Sequence, residues 1–253
     1  MLLRRVLMHF RKQDWIAIVL DFVIVVVGIF VGLQVSQWND ERQERVLEQQ
    51  YLQSLKSDFG SDIEELDKAI ALAAERALLF RQILASVAVE SVEGDPNEFI
   101  WAVFNTDLLN FPSYTRATIN DLMSTGNLRL IRDRELKAEI AAYYTDIEYR
   151  EQWVPNWRSM QIDMESMFPD LLDFTIREAA HDRYTPGVPW ITEPFDFDAD
   201  TANDVLQKII NHPKSKGQIE NMTRLQDSHY RNLELIRDQA IKLIESVETS
   251  SSF

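Results

Sequence analysis

Residues 20–45 read LDFVIVVVGIFVGLQVSQWNDERQER, and Asp21 is the only charged side chain there before Asp40. The apolar run around it covers residues 15–35. As a helix rising ~1.5 Å per residue it reaches roughly 30 Å, the thickness of a bilayer core. Trp15 and Trp38 bracket the run, as aromatic residues do at membrane interfaces. The sequence therefore predicts one transmembrane helix over residues 15–35.

The flanks of the run predict how the chain is oriented in the membrane. A cleaved signal peptide has a shorter apolar core and a small-x-small cleavage site, whereas this run ends in Val-Ser-Gln-Trp, so we expect a retained anchor. Residues 1–14 hold four cations and one acid, a net charge of +3, while the flank after the run mixes both signs. The positive-inside rule then makes residues 1–14 a basic cytoplasmic tail and residues 36–253 an extracytoplasmic domain.

Asp21, Gly28 and Gly32 lie on one face of the predicted transmembrane helix. A G-x-x-x-G pair lets two helix backbones approach closely, and a carboxylate within a span costs ~2.5–3.5 kcal/mol at the bilayer centre. One interpretation is that this face contacts another helix, either of a second copy or of another membrane protein. The other is that Asp21 reaches back to the cytoplasmic headgroups. The coincidence of three such residues on one face favours the helix contact.

Two stretches carry a resemblance to known proteins: residues 21–42, and residues 121–136 followed by Tyr143-Tyr144. They resemble a family of uncharacterised bacterial single-pass membrane proteins, defined by a domain of unknown function. Members of that family typically show an acid, an Ile/Val run, a glycine, Leu-Gln and Trp-Asn in the first stretch. This chain has Asp21 where glutamate is usual, and Thr125 in place of serine before Gly126. The resemblance implies bacterial origin and an anchor in the inner membrane, and it implies no activity.

Apolar residues beyond the span recur in alternating steps of three and four over residues 52–87 and again over residues 219–247. Such heptad stripes predict two long helices. The first is expected to run from the bilayer to about Ser91, with a weak point or bend at Gly60, and the second from about 215 to 249. The predicted fold class is all-α, with the transmembrane helix continuing into an extracytoplasmic antiparallel helical bundle or coiled coil. Pairing within one chain and pairing between chains both remain open.

Shorter helices are predicted between the two long ones. A long helix from residue 133 to about 168 should be kinked or broken by Pro155. Gly126 suits the left-handed position after a helix, and Asp200 with Thr201 is expected to cap the helix that ends before Pro213. The remaining predicted helices cover residues 97–110, 115–125 and 201–211.

The one long irregular stretch is HDRYTPGVPWITEPFDFDAD, residues 181–200. Long loops that contain aromatic residues often bind ligands or partners, and the alternative is a lid whose aromatic residues plug one end of the helices. The four aspartates from Asp196 to Asp204 lack the glycine and glutamate of a calcium loop, so we interpret them as a solvated acidic run that caps a helix. The aromatic residues of this candidate ligand or partner loop are Tyr184, Trp190, Phe195 and Phe197.

Patterns typical of catalysis are absent from the sequence. The four histidines form no metal-binding pair, no serine lies in G-x-S-x-G, and no glycine-rich phosphate loop occurs. We therefore expect no catalytic, cofactor or metal site. Trp153 and Trp157 lie one turn apart and frame either a small-molecule pocket or, as we favour, part of the core.

The charge of the chain narrows the class of function. The net charge is −15 and there is no cysteine, which excludes disulfides and cysteine metal sites. An acidic body repels phosphates, so the expected partners are the lipid bilayer and another membrane helix, and not nucleic acid. The favoured function is a membrane-anchored module acting by protein–protein interaction, as a scaffold, accessory subunit or sensory input. The alternative is an extracytoplasmic acid-based hydrolase of cell-envelope material, which needs two carboxylates in one cleft.

Overall fold

The structure, a computed structural model, describes residues 15–105, 110–173, 175–176 and 197–250, with side chains from residue 19. Every regular element in these ranges is helical. The first helix, α1, covers Trp15–Val89, a length of about 110 Å for its 75 residues. Its most apolar 18 residues have a mean hydropathy of 2.4, and none of them is buried against the chain. The fold is thus all-helical in the described part, with one N-terminal helix long and apolar enough to cross a membrane.

Gly60, in the middle of α1, does not interrupt the helix. Helical hydrogen bonding continues through Gly60, so the weak point predicted there does not end the element. A methyl group added at this position would meet no atom within 4 Å. The packing that holds α1 on both sides of Gly60 therefore outweighs the roughly 0.5–1 kcal/mol that a mid-helix glycine costs.

Shorter helices follow, and the second long helix that the sequence predicts covers Ser215–Ser250. The long helix predicted over residues 133–168 is divided at residues 152–153, because Pro155 suits the first turn of a new helix and not a helix interior. The further helices are α2 (Pro96–Phe104), α3 (Ala117–Ser124), a 3-10 turn (Asn127–Leu130), α4 (Arg134–Glu151), α5 (Val154–Glu165), α6 (Phe168–Leu171), α7 (Ala199–Asn211) and α8 (Ser215–Ser250).

Local capping chemistry sets several of these boundaries. Gly126 has φ +71°, the left-handed conformation predicted for it after a helix. The cap of α7 was predicted two residues too late, because Asp198 and not Asp200 accepts hydrogen bonds from the backbone N–H (2.8 Å) and the hydroxyl (2.7 Å) of Thr201. The first of these bonds satisfies an N–H group that the first turn of a helix leaves unpaired.

The helices α1 and α8 pack side by side in opposite directions. Lys56 pairs with Glu248 and Arg81 with Asp227, each at 2.6 Å, and Arg237 pairs with Asp67 between them. Residue numbers therefore fall along α8 as they rise along α1.

Two apolar clusters lie along this pair of helices. The first, on the side of the apolar segment, combines α1, α3, α4 and α8 through residues such as Leu55, Leu122, Ile140 and Ile236. The second cluster lies at the far end of α1 and the start of α8, and Phe80 is among its buried residues. The helices α2, α5, α6 and α7 also contribute to it.

Candidate functional site

Asp21, Gly28 and Gly32 form one exposed face of α1, which we call the span stripe. Their spacing of seven and four residues puts them within about 40° of one another around the helix. A methyl group built on either glycine meets no atom within 4 Å, and no described part of the chain covers the apolar segment. The span stripe is therefore open to an approaching helix.

Of the aromatic residues in the candidate loop, the structure describes Phe197. Its side chain packs against the second apolar cluster, and its backbone N–H donates to Asn97 Oδ1 at 2.9 Å. Phe197 is thus attached to the body and is half-buried. Tyr184, Trp190, Phe195 and most of residues 181–200 lie outside the described residues, as does the basic tail over residues 1–14.

Polar side chains attach α1 to the segment 115–132, and we call this set of contacts the joint. It begins at Glu44, which pairs with Arg129 at 2.9 Å, about 14 Å along the helix from Val35. One turn further, the buried carboxylate of Glu48 accepts the backbone N–H of Arg132 at 2.7 Å. The body is therefore attached to α1 close to the end of its apolar segment.

Within the joint, one carboxylate of α1 caps the first turn of α3 and a second binds the chain just before it. Arg116, the residue at the N-cap position of α3, makes no side-chain capping bond. Instead Asp58 Oδ2 accepts the N–H of Thr118 at 3.2 Å, and Asp62 Oδ1 accepts the N–H of Thr115 at 2.7 Å. Carboxylates are favoured there because the helix N-terminus has unpaired donors and a partial positive charge. Tertiary contacts thus supply the cap that the local sequence lacks.

Asp62 is the most enclosed of these carboxylates, with no exposed surface. Its Oδ2 accepts the hydroxyl of Tyr143 at 2.8 Å. Burial raises the pKa of Asp62, while the bonds from Thr115 and Tyr143 act in the opposite direction. The pKa of Tyr143 is also raised, first by burial and then by the charge of Asp62, so this tyrosine stays a hydrogen-bond donor.

The sequence contains a signal for the joint that apolar periodicity alone does not use. Glu48 and Asp62 occupy steps of the same stripe as Leu52, Leu55 and Phe59, at spacings of four and three. Where the heptad spacing predicts that an acidic residue is buried, its carboxylate needs a hydrogen-bond donor from another element. The joint also connects the two stretches that carry the resemblance, since the Arg132 guanidinium donates to the backbone carbonyl of Glu41 at 3.5 Å.

Trp153 and Trp157 do not form part of either apolar cluster, so the preference for two core tryptophans was wrong for Trp153. Its side chain is 47 % exposed, and Trp157 is half-buried. Both line a pocket whose described residues include one carboxylate, that of Glu151, which is paired with Arg116 at 2.6 Å. Trp153 reaches solvent because the chain turns at residues 152–153 between α4 and α5.

Within the described ranges, no three histidine, aspartate or glutamate side chains lie close enough to hold a metal ion. Asp198, from the acidic run at residues 196–204, is instead engaged in capping α7.

Comparison of the chain with models of known protein families, with curated proteins and with solved structures found no match. The resemblance to the uncharacterised membrane family therefore stays a prediction, and function is proposed from the chain's own residues.

Proposed function

We propose that the chain is a membrane-anchored helical module that acts by protein–protein interaction, as a scaffold, an accessory subunit or a sensory input. In this proposal residues 15–35 cross a bacterial inner membrane and residues 1–14 lie in the cytoplasm. The domain over residues 36–253 lies outside the membrane as an antiparallel helical bundle with coiled-coil packing. The basic tail supports the orientation through the positive-inside rule.

The observation that carries the proposal is the open span stripe at one end of an unbroken helix. Asp21, Gly28 and Gly32 share a face that no described part of the chain covers. In hydrocarbon, small residues let helices approach closely, and a carboxylate gains from a polar partner or from protonation. The occupant that fits is another transmembrane helix, from a second copy or from a different membrane protein.

The joint supports a role in which the body and the span act as one unit. Glu44 and Glu48 attach the body about 14 Å and about 20 Å along the helix from the end of the apolar segment, and α1 continues from there into the first apolar cluster. A helix that is bound in the membrane therefore fixes where the body lies. The net charge of −15 keeps that body away from phosphate-rich surfaces, so nucleic acid is not among the proposed partners.

The hydrolase alternative has less support. Acid-based glycoside hydrolysis uses two carboxylates that face one another across a cleft. Among the described residues of the pocket that contains Trp153 and Trp157, the only carboxylate is Glu151, and Arg116 pairs with it. No observation favours the hydrolase over the interaction module.

The test is purification of the tagged native chain in mild detergent, beside Asp21→Leu, Gly28→Leu and the control Val26→Leu. Val26 is two residues, or about 200°, from Gly28, so its substitution alters a different face of the helix. We expect the native chain and the control to carry the same helix partner, identified by mass spectrometry and by the mass of the complex. We expect both stripe variants to lose it. A native chain that is monomeric and alone, or stripe variants that keep the partner, would contradict the proposal.

A further inference from the structure

A pocket of about 320 Å³ lies where three separate parts of the chain meet. Phe111 and Pro112 come from the segment before α3, Trp153 and Trp157 from the junction of α4 and α5, and Asn232 from the middle of α8. The volume is at the lower end of the 300–1,000 Å³ range that is typical of small-molecule sites. The span stripe is not part of this pocket, so the two sites are independent.

Aromatic rings form two groups in the pocket. In the first, Trp157 stacks on Phe111 with 5.4 Å between centroids and meets the ring of His229 edge-on at 4.9 Å. In the second, Trp153 and Tyr149 meet edge-on at 6.4 Å. Trp153 and Tyr149 are 47 % and 57 % exposed, which is unusual for side chains of this size. An aromatic ligand gains both burial and ring contacts at such a surface.

The charged groups of the pocket are already neutralised by partners. Arg150 pairs with Asp146 at 3.1 Å, and Glu151 pairs with Arg116 at 2.6 Å. A charged ligand would have to compete with these pairs for the same atoms. An uncharged ligand leaves both ion pairs in place.

His229 adds no charge to the pocket at neutral pH. Its side chain is buried, and burial together with the nearby charge of Arg76 lowers its pKa, although the hydrogen bond to Asn110 raises it. Nε2 lies 2.8 Å from the carbonyl oxygen of Asn110 and therefore carries the proton that it donates.

The uncharged polar groups of the pocket lie on α8 and on its aromatic walls. Ser228 and Asn232 lie on α8, and Asn232 makes no side-chain hydrogen bond to any residue that the structure describes. The aromatic walls add hydroxyl and indole N–H groups, those of Tyr114, Tyr149, Trp153 and Trp157. A flat ring compound presents its faces to the aromatic rings and one polar edge to the amide of Asn232.

From these features we propose that the pocket binds an uncharged, planar molecule of about two fused aromatic rings with one hydrogen-bonding edge. The rings lie against Trp153 and the group of Trp157 and Phe111, and the polar edge faces the amide of Asn232. Neither the proposed membrane partner nor the span stripe is needed for this binding.

The experiment uses the purified full chain in detergent, titrated with 5-fluoroindole and followed by ¹⁹F NMR. Empty micelles give the background, which rises linearly with probe concentration. The variants are Trp153→Ala, which removes an exposed wall of the pocket, and Trp38→Ala as the matched control. Trp38 is 59 % exposed and lies in α1 near the apolar segment, so it has the same chemistry away from the pocket.

We expect saturable binding to the native chain, a loss of about 5- to 10-fold in affinity for Trp153→Ala, and no change for Trp38→Ala. Asn232→Ala should abolish the preference for 5-fluoroindole over its N-methyl derivative, which lacks the donor. The anionic 5-fluoroindole-3-acetate should bind at least about 10-fold more weakly than the parent compound. The proposal is overturned if only linear uptake is seen, if both tryptophan variants bind alike, or if the anion binds more tightly.

Discussion

Asp62 illustrates how a buried charge is maintained at the scale of a single residue. Its carboxylate has no exposed surface, yet both oxygens accept hydrogen bonds, from Thr115 N–H and from the hydroxyl of Tyr143. Such bonds to a charged group contribute about 1.5–3 kcal/mol, and leaving a buried donor unpaired costs about 1–3 kcal/mol. Asp62 therefore holds α1, the start of α3 and α4 together through two contacts.

Asp62→Ala should lower the free energy of unfolding by about 2–4 kcal/mol, because Tyr143 and Thr115 each lose their acceptor. The measurement is urea unfolding in detergent, followed by far-UV circular dichroism. Asp67→Ala is the matched control, since Asp67 is exposed and pairs with Arg237 at the surface. That control should change the free energy by less than about 1 kcal/mol. Equal effects of the two substitutions would contradict the role given to Asp62.

His229 should make stability depend on pH. Its folded-state pKa is lowered from 6.5, chiefly by burial, so below pH 6.5 the unfolded chain takes up a proton that the folded chain does not. This contribution to stability is therefore fully present above about pH 6.5 and is lost as pH falls towards the folded-state pKa. We expect the native chain to lose more stability between pH 7 and pH 5 than His229→Gln, in urea unfolding at both values. An identical slope for His229→Gln would show that His229 does not titrate as described.

At the residue scale, periodicity identified which side chains are apolar and buried, but not which polar ones join them. Leu52, Leu55 and Phe59 are buried as predicted. Glu48 and Asp62 are buried with them, and their donors come from residues 53 to 84 positions away. A one-dimensional pattern does not contain those partners.

At the scale of the element, α1 and α8 were predicted as long helices, and the structure has both. The buried face of α1 is wider than the heptad pattern over residues 52–87 predicts. Asp62 and Ala69 are buried, while Ile63 and Ile70 are only half-buried. The reason is that α1 contacts α8 on one side and α3 and α4 on another, so its buried face exceeds a two-helix seam. Helix ends within residues 133–168 were less predictable, since Pro155 was compatible with either a kink or a break.

Gly60 provides a prediction for α1 itself. It lies in the middle of the helix, and a methyl group there meets nothing within 4 Å. Gly60→Ala should therefore raise the free energy of unfolding by about 0.5–1 kcal/mol, because alanine reduces the conformational entropy of the unfolded chain. Gly126→Ala is the matched control, because Gly126 has φ +71° and alanine is strained there, so it should lower the free energy by about 1 kcal/mol. Urea unfolding measures both. A loss of stability in Gly60→Ala would indicate that something approaches this face of α1.

At the scale of the whole molecule, the two apolar clusters are separated by buried polar side chains. Arg76 lies between members of the two clusters along α1, Gln226 and His229 do so along α8, and the aromatic pocket opens beside His229. Phe111, Trp153 and Asn232 reach this pocket from positions at least 40 residues apart, so their meeting was not predictable from local pattern. What sequence did predict is the polarity of the molecule, with a basic tail, an apolar segment and an acidic body in that order.

The measurement that tests the account most directly is the accessibility of single cysteines in intact cells that produce the chain. The chain has no cysteine, so Gln13→Cys and Ser57→Cys each introduce one unique label site, before and after the apolar segment. Ser57 is exposed on α1. With a membrane-impermeant maleimide, we predict that Ser57→Cys is labelled in intact cells and that Gln13→Cys is labelled only after the membrane is permeabilised. Labelling of Gln13→Cys in intact cells, or protection of both sites until permeabilisation, would contradict a membrane-anchored module with its body outside.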